Sequence, residues 1–441
     1  MQMKTDLQIP QFLLAAPSSG SGKTTLCRGL MAALSRKGYR VQPYKCGPDY
    51  IDTKFHTAVC GRPSINLDTF MATPGHVRAL YARHTQGADA CVVEGMMGLF
   101  DGYDRDRGSS AEIAGLLSLP TVLVVDARST AYSMAALLYG FTRFRPEVEV
   151  VGVIFNRVGS PRHRQMLLQV CTDLDIRCLG CLPKADELAQ ESRYLGLDFS
   201  LPQEALLARL AELIDAHIDL DLLLEQTMRP LPPSVDTPAT EPSHAPLAIS
   251  VARNEESFCF LYEEHLEILR HMGSVSFFDP ERDEALPPGT ELLYLPGGYP
   301  EKHLDALAGN VSMLASVRAY ARSGGRVLAE CGGMIYLSRG VAHEHGFAPL
   351  CDVLPVTIGR EKPHRRLSLG YRSFEWGGRT LRGHEFHYTQ IVPDASVPPS
   401  AATLYDARGG RVDTPVFRQQ NVLASYTHLY WGETDVLALF T

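Results

Sequence analysis

Residues 12–25 read Phe12-Leu13-Leu14-Ala15-Ala16-Pro17-Ser18-Ser19-Gly20-Ser21-Gly22-Lys23-Thr24-Thr25, an apolar run that enters a glycine-rich turn. Leu26, Leu30, Ala33 and Leu34 follow at helical spacing, and Gly38 supplies a stop. A strand, a glycine turn and a helix in this order are the setting of a phosphate loop. Such a loop needs backbone N–H groups turned toward phosphate, a helix N-terminus behind them, a lysine, and a hydroxyl for magnesium. Gly20, Ser21 and Gly22 form the turn, Lys23 is the lysine, Thr24 the hydroxyl, and Thr25 completes the expected nucleotide-binding stretch. Pro17 stands in place of the motif's usual first glycine, so the loop is a variant.

Working outward, residues 39–44 read as a second strand that ends in Lys45-Cys46-Gly47-Pro48-Asp49-Tyr50-Ile51-Asp52. A third strand at 89–93 delivers Glu94-Gly95-Met96-Met97-Gly98-Leu99-Phe100-Asp101-Gly102, and further strands fall at 121–125, 150–155 and 176–182. Strands alternating with helices imply an α/β fold with a doubly wound parallel sheet, whose ligands sit at the carboxyl ends of the strands. Magnesium takes oxygen ligands, so Thr24 with Asp49 and Glu94 is the expected metal set, and Asp101 is assigned to substrate positioning. Taken singly, each acid is equally compatible with a helix cap. Asn156, at a later strand end before Arg157, either contacts the nucleotide base or forms a turn.

With 441 residues, the chain has room for about two to three domains. Hydrophobic residues make up 45% and charged residues 21%, the balance of a globular protein. The net charge of −8 argues against a general nucleic-acid or membrane-surface binder, so an anionic ligand requires a local basic patch. Arg360-Glu361-Lys362-Pro363-His364-Arg365-Arg366 is the densest basic stretch, either a solvated loop or a receiver of acidic substrate. The ten cysteines show no disulfide framework, and Cys178-Leu179-Gly180-Cys181, despite its redox or zinc spacing, reads as two buried or half-buried thiols. No signal segment is evident and the longest apolar runs are too short to span a bilayer, so a cytoplasmic location is expected. Prolines at 230, 232, 233, 238, 242 and 246 mark a linker. The expected division is 1–228, linker 229–246, and 247–441.

The second half opens another alternating pattern at 247–251, with a helix expected at 258–272 and strands at 274–278 and 292–295. Leu295-Pro296-Gly297-Gly298-Tyr299-Pro300-Glu301 places two glycines at a strand end. The strand at 326–330 turns through Cys331-Gly332-Gly333 into an apolar helix. A nucleophile at such an elbow is presented beside backbone amides, and a helix N-terminus is expected to lower its pKa. His428, far downstream in Ala424-Ser425-Tyr426-Thr427-His428, completes the pattern of an activated thiolate. His384-Glu385-Phe386-His387 is one residue short of zinc-protease spacing and reads as a strand lining a site.

In their order along the chain, these motifs, together with Asn156-Arg157-Val158 and Gly383-His384-Glu385-Phe386-His387-Tyr388, closely resemble the cobyrinic acid a,c-diamide synthases over nearly the whole length. The first domain is similar to dethiobiotin synthetase and the second to class I glutamine amidotransferases. The resemblance implies two doubly wound domains and a two-site ligase. Its co-substrates would be ATP and glutamine, its cofactor magnesium, and its partner a corrinoid macrocycle, without nucleic acid or membrane; a homodimer is compatible with this. It further implies that Cys331 attacks glutamine with His428 as base and the amides of Gly298 and Gly332 as oxyanion hole. ATP would phosphorylate a corrin side-chain carboxylate for ammonia to attack. Hydrogenobyrinic acid and a nickel sirohydrochlorin are the alternative substrates; cobyric acid synthase and a partition-type ATPase switch fit less well. Two departures stand out: Tyr430 where many triad-type amidotransferases carry a glutamate, and Asn254 where the family pattern has an acid. No third triad member is assigned.

Overall fold

The structure, a computed structural model, describes residues 7–184, 203–233, 245–361 and 365–441. The chain divides between residues 238 and 239 into two compact units.

The first unit alternates strand and helix: β1 (Gln8–Ala15), α1 (Lys23–Arg36), β2 (Val41–Cys46), α2 (Asp52–Cys60), β3 (Ile65–Leu67), α3 (Pro74–Thr85), β4 (Ala90–Glu94) and α4 (Ser110–Leu117). It continues with β5 (Thr121–Asp126), α5 (Met134–Arg143), β6 (Val150–Val158), α6 (Pro161–Leu174), β7 (Cys178–Pro183), α7 (Gln203–His217), α8 (Leu220–Gln226) and β8 (Met228–Pro230). The sheet runs β3-β2-β4-β1-β5-β6-β7 with every neighbour on that path parallel. Phe12, Leu13 and Leu14 of the central β1 are fully buried because helices cover both faces, which is why the run is uninterruptedly apolar. Leu26, Cys27, Leu30, Met31 and Leu34 of α1 pack on the same core.

One expectation fails here. The linker is expected to begin at residue 229, yet β8 pairs antiparallel with β1, and the Gln11 amide donates to the carbonyls of Arg229 and Pro230 at 3.1 and 3.0 Å. A strand at the edge of the ladder tolerates a proline. Residues 234–244 of the expected linker, like 362–364 of the basic stretch, lie outside the described residues.

The second unit comprises β9 (Leu247–Ala252), α9 (Glu263–Met272), β10 (Gly273–Phe278), β11 (Leu292–Leu295), α10 (Leu304–Gly309), α11 (Val311–Arg322), β12 (Arg326–Glu330) and α12 (Gly332–Leu337). There follow β13 (Gly340–His343), β14 (Gly346–Pro349), β15 (Thr357–Gly359), β16 (Arg365–Trp376) and β17 (Arg379–Ile391). The unit closes with β18 (Leu404–Asp406), β19 (Arg411–Val412), β20 (Val416–Gln419), β21 (Val422–Ser425) and β22 (His428–Tyr430). One sheet runs β10-β9-β11-β12-β21-β20, parallel except for β20 on β21. A second sheet, largely antiparallel, runs β14-β13-β15-β17-β16-β18-β19 with β22 added to β17. That second sheet departs from the simple doubly wound expectation. Its long strand β17 buries Leu381, Gly383, Glu385, His387 and Thr389 while Phe386 and Tyr388 are only half-buried, so beyond Leu381 the inward face is polar and hides the usual hydrophobic alternation. The helix expected from residue 258 starts at Glu263, because Cys259 and Phe260 instead donate to the Gly297 carbonyl at 2.9 and 3.0 Å.

Leu30 is fully buried in the first core. Leu30→Ala leaves a cavity there, and chemical denaturation of the variant should show a loss of about 2–5 kcal/mol in the stability of the first unit.

Candidate active sites

At the carboxyl edge of the first sheet, Gly22 caps α1 at φ 90°, a left-handed backbone that suits glycine, and a Cβ there would strike Asn156 Nδ2 at 2.2 Å. Asn156 Nδ2 donates to the Ser21 carbonyl at 2.9 Å, and Arg157 Nη1 to the Gly20 carbonyl at 2.9 Å. Asn156 thus braces the loop through its backbone from within β6, its Oδ1 accepting from Arg157 N at 2.9 Å, so it stands in a strand and forms no turn. Thr25 is half-buried on α1.

Glu94, fully buried at the end of β4, is the hub. Its Oε1 accepts from the Thr24 hydroxyl at 2.6 Å and from Lys45 Nζ at 2.8 Å, while Oε2 bonds His56 Nε2 at 2.7 Å. Lys45 also reaches Asp52 at 2.6 Å and lies 4.0 Å from Asp49. Burial opposes the Glu94 charge, but Lys45 and His56 outweigh it and hold its pKa well below the usual range. Burial likewise disfavours the Lys45 ammonium, and Asp52, Glu94 and Asp49 reverse the balance and raise its pKa well above normal. Burial, then Asp49 and Glu94, push Asp52 up to about 6. Lys23 folds back onto the Met97 carbonyl at 2.7 Å, and burial followed by Lys45 lowers its pKa.

Thr24 and Glu94 are therefore in contact. Asp49 stands beside them, although its Oδ1 accepts from the backbone of Ile51 and Asp52 at 2.8 Å, as a carboxylate at the start of α2 does. Asp101 is exposed, and its Oδ2 accepts from Gly98 N at 3.0 Å within its own loop. Sequence reasoning quoted Lys45 and Asp52 without giving them a role and missed His56 altogether; the histidine comes from α2, where nothing in its local pattern marks it. Cys27, His56 and Glu94 bring three ligand atoms within 4.8 Å, but burial, then Glu94, holds the Cys27 thiol neutral.

In the second unit Cys331 adopts φ 46°, ψ −101°, a strained conformation for a residue with a Cβ, at the joint between β12 and α12. Its N–H donates to the Ser425 carbonyl at 2.8 Å, and its sulfur lies 3.9 Å from the Phe386 carbonyl oxygen. Gly297 must be small: a Cβ would lie 2.0 Å from Cε1 of the fully buried His428. Gly298 N is 3.0 Å from where a Gly332 Cβ would stand, so the two expected oxyanion-hole glycines are neighbours, and the Gly332 N–H is directed at the Cys331 sulfur. His428 pairs with His384 across β22 and β17. Glu330, one residue before Cys331, accepts from Leu429 N at 3.3 Å and from the Tyr294 hydroxyl at 2.9 Å, tying the His428 strand to the nucleophile's strand. Burial pushes its carboxyl up to about 8. Glu385, held by Arg372 at 2.9 Å, accepts from Thr427 at 3.0 Å next to His428.

The expectation of a depressed thiol pKa is overturned. Burial, then the charge of Glu301, raises the Cys331 pKa well above normal, and the Gly332 N–H at the start of a six-residue helix offsets only part of it. Burial, followed by His384 and His387, lowers His428 to about 3. The resting pair is neutral thiol and neutral imidazole. Both departures noted in the sequence have local partners: the Tyr430 hydroxyl donates to buried Glu264, and Asn254 Nδ2 donates to Asp279 and Glu281 at 3.0 Å each. An acid at position 254 would face those two carboxylates with like charge.

Because the folded state resists protonating His428, the unfolded chain binds that proton first as pH falls below 6.5. The His428 contribution to the stability of the second unit is therefore lost as pH drops from 6.5 toward 3, while the raised Glu330 carboxyl works in the opposite direction, so the expected outcome is comparative: between pH 6.5 and 5 the thermal melt of His428→Asn should fall less, or rise more, than that of the wild type.

Residues 12–195 match the CobQ/CobB/MinD/ParA nucleotide binding domain, and residues 249–436 the CobB/CobQ-like glutamine amidotransferase domain. A hydrogenobyrinate a,c-diamide synthase of Brucella suis is 41% identical over 95% of this chain and 98% of its own. One from Streptomyces coelicolor is 38% identical over 96% and 95%, and a cobyrinate a,c-diamide synthase of Priestia megaterium 37% over 96% and 94%. No helix among the described residues is long and apolar enough to cross a membrane. With both half-chain matches in register with the two sites and relatives aligned from end to end, this chain belongs to the a,c-diamide synthase family.

Proposed function

We propose that this protein is an ATP- and glutamine-dependent ligase that amidates the a and c acetate carboxylates of a cobyrinic-acid-type macrocycle in cobalamin biosynthesis. The observation that carries this reading is the presence, in one chain, of a phosphate loop backed by buried Glu94 and Lys45 and of a strained cysteine elbow at Cys331 beside the Gly297-Gly298 pair against which His428 packs. A carboxylate is too poor an electrophile for ammonia, so one site must activate it and the other must supply the nitrogen.

In the first unit, Lys23 is released from the Met97 carbonyl to contact the nucleotide phosphates, and the N–H groups of residues 20–24 cradle them. The Thr24 hydroxyl with the carboxylates of Glu94 and Asp49 is an all-oxygen set that fits magnesium, which when bound neutralises charge on the phosphoryl group in transfer. The γ-phosphoryl group passes to a macrocycle acetate, giving an acyl phosphate; ammonia displaces inorganic phosphate and leaves the amide. Lys45 sits among Glu94, Asp52 and Asp49, keeping their summed negative charge from repelling both nucleotide and acidic substrate. In the second unit, the Cys331 sulfur attacks the glutamine amide carbon while His428 takes the thiol proton and returns it to the departing ammonia. The N–H groups of Gly298 and Gly332 receive the developing oxyanion, and water then cleaves the thioester to glutamate.

Mass spectrometry of hydrogenobyrinic and cobyrinic acid incubated with the enzyme, ATP, magnesium and glutamine should reveal exchange of two acid hydroxyls for amino groups in one of them. If neither is amidated, the reading fails. Lys23→Ala and Glu94→Gln should abolish amide formation with glutamine and with ammonium salts alike, since neither nitrogen source reacts without carboxylate activation. Cys331→Ala should lose glutamine-dependent turnover by several orders of magnitude while retaining the ammonium-driven reaction, better at higher pH where more NH3 is unprotonated. Loss of the ammonium reaction in a folded, ATP-binding Cys331→Ala protein would remove the division of labour between the two sites.

A further inference from the structure

Glu301 stands in the 3-10 turn Pro300–Lys302, which follows β11 and the Gly297-Gly298 pair. The turn packs on α12 immediately beyond the nucleophile: a Cβ on Gly332 would meet Pro300 Cδ at 2.9 Å. Among the described residues, the Glu301 Oε2 oxygen is buried and has no hydrogen-bond partner. Burial raises the pKa of this carboxyl, against which its own backbone N–H and the charges of Lys302, Arg360 and His387 act only in part, and Arg360 donates to the Glu301 carbonyl at 2.6 Å rather than to Oε2. A buried carboxylate oxygen left unbonded costs free energy unless a ligand completes it. The mechanism above uses Cys331, His428 and the glycine amides and leaves this oxygen without a task.

We infer that the Glu301 carboxylate receives the α-ammonium group of glutamine. This rests on the glutamine-hydrolysing role proposed for Cys331 and names the group that selects its substrate. Glutamine carries its reacting amide at one end and a zwitterion at the other. Glu301 lies beside the elbow, directly after the Pro300 that packs on Gly332, and the Arg360 guanidinium, which bonds the Glu301 carbonyl at 2.6 Å and pairs with Glu361 at 3.1 Å, adjoins it with the opposite sign suited to the α-carboxylate. An ammonium docked on Glu301 also favours the charged carboxylate against burial and offsets its negative charge beside the Cys331 thiol. The nucleophile then becomes easier to ionise when an amino acid fills the pocket.

The test compares glutamine with glutaramate, the same molecule without its α-amino group, as substrates for ammonia release by the full-length enzyme. Wild type should favour glutamine in kcat/KM by about 10- to 100-fold, the worth of a charge-assisted hydrogen bond in a buried site. Glu301→Gln and Glu301→Ala should raise KM for glutamine by a similar factor, bring the glutamine-to-glutaramate ratio near unity, and leave ammonium-driven amidation unchanged. Glu301→Asp should recover part of the preference. A wild-type enzyme that hydrolyses both substrates equally, or folded Glu301 variants that keep the wild-type ratio, overturns the assignment while the amidotransferase reading stands. A wild-type enzyme that hydrolyses neither overturns both.

Discussion

A carboxylate with no access to water must be neutral or surrounded by donors, and Glu94 takes the second course. Thr24 from α1, Lys45 from β2 and His56 from α2 converge on its two oxygens at 2.6, 2.8 and 2.7 Å. Those three elements and β4 are thereby locked in register around one charge at the strand ends. The phosphate loop inherits its position from this lock, since Thr24 is the residue after the loop lysine. Removing any one donor leaves the others facing an undercompensated buried charge, the situation in which breaking a buried pair is most costly.

The second unit solves a related problem with the opposite sign of outcome. Cys331 and His428 are both buried, and burial favours the neutral form of each, raising one pKa and lowering the other. The absence of side chains at Gly297 and Gly332 lets the His428 imidazole pack against the first and the Gly298 amide against the second, next to the strained Cys331. Glu330 and Glu385 hold the backbone around His428 by bonding Leu429 N and the Thr427 hydroxyl. They fix where the base stands through its flanking residues.

The two departures from the family pattern illustrate how a substitution is absorbed locally. Asn254 supplies N–H donors between Asp279 and Glu281, where a third carboxylate would add repulsion. Tyr430, in place of a glutamate, presents its hydroxyl to the buried Glu264 of α9, so a carboxylate still stands at that position's far end, contributed by another element.

By itself the sequence determined what depends on neighbours along the chain. The glycine turn before Lys23, the strand ends carrying Asp49 and Glu94, and the elbow at Cys331 were legible because turn geometry and strand-helix alternation are encoded within a few residues. The bounds of β11 and β12 followed from short apolar runs, wholly buried in β11 and flanked by Arg326 and Glu330 in β12. Only the tertiary structure decided the rest. His56 became a partner of Glu94 through the packing of α2, and Asn156 became a brace because β6 ends against the loop. The second sheet was harder to read because the buried positions Glu385, His387 and Thr389 of β17 interrupt the apolar alternation that Leu381 begins. The ionisation of Cys331 was misjudged for the same reason: a helix N-terminus can be read from sequence, but desolvation is a property of everything packed around the sulfur.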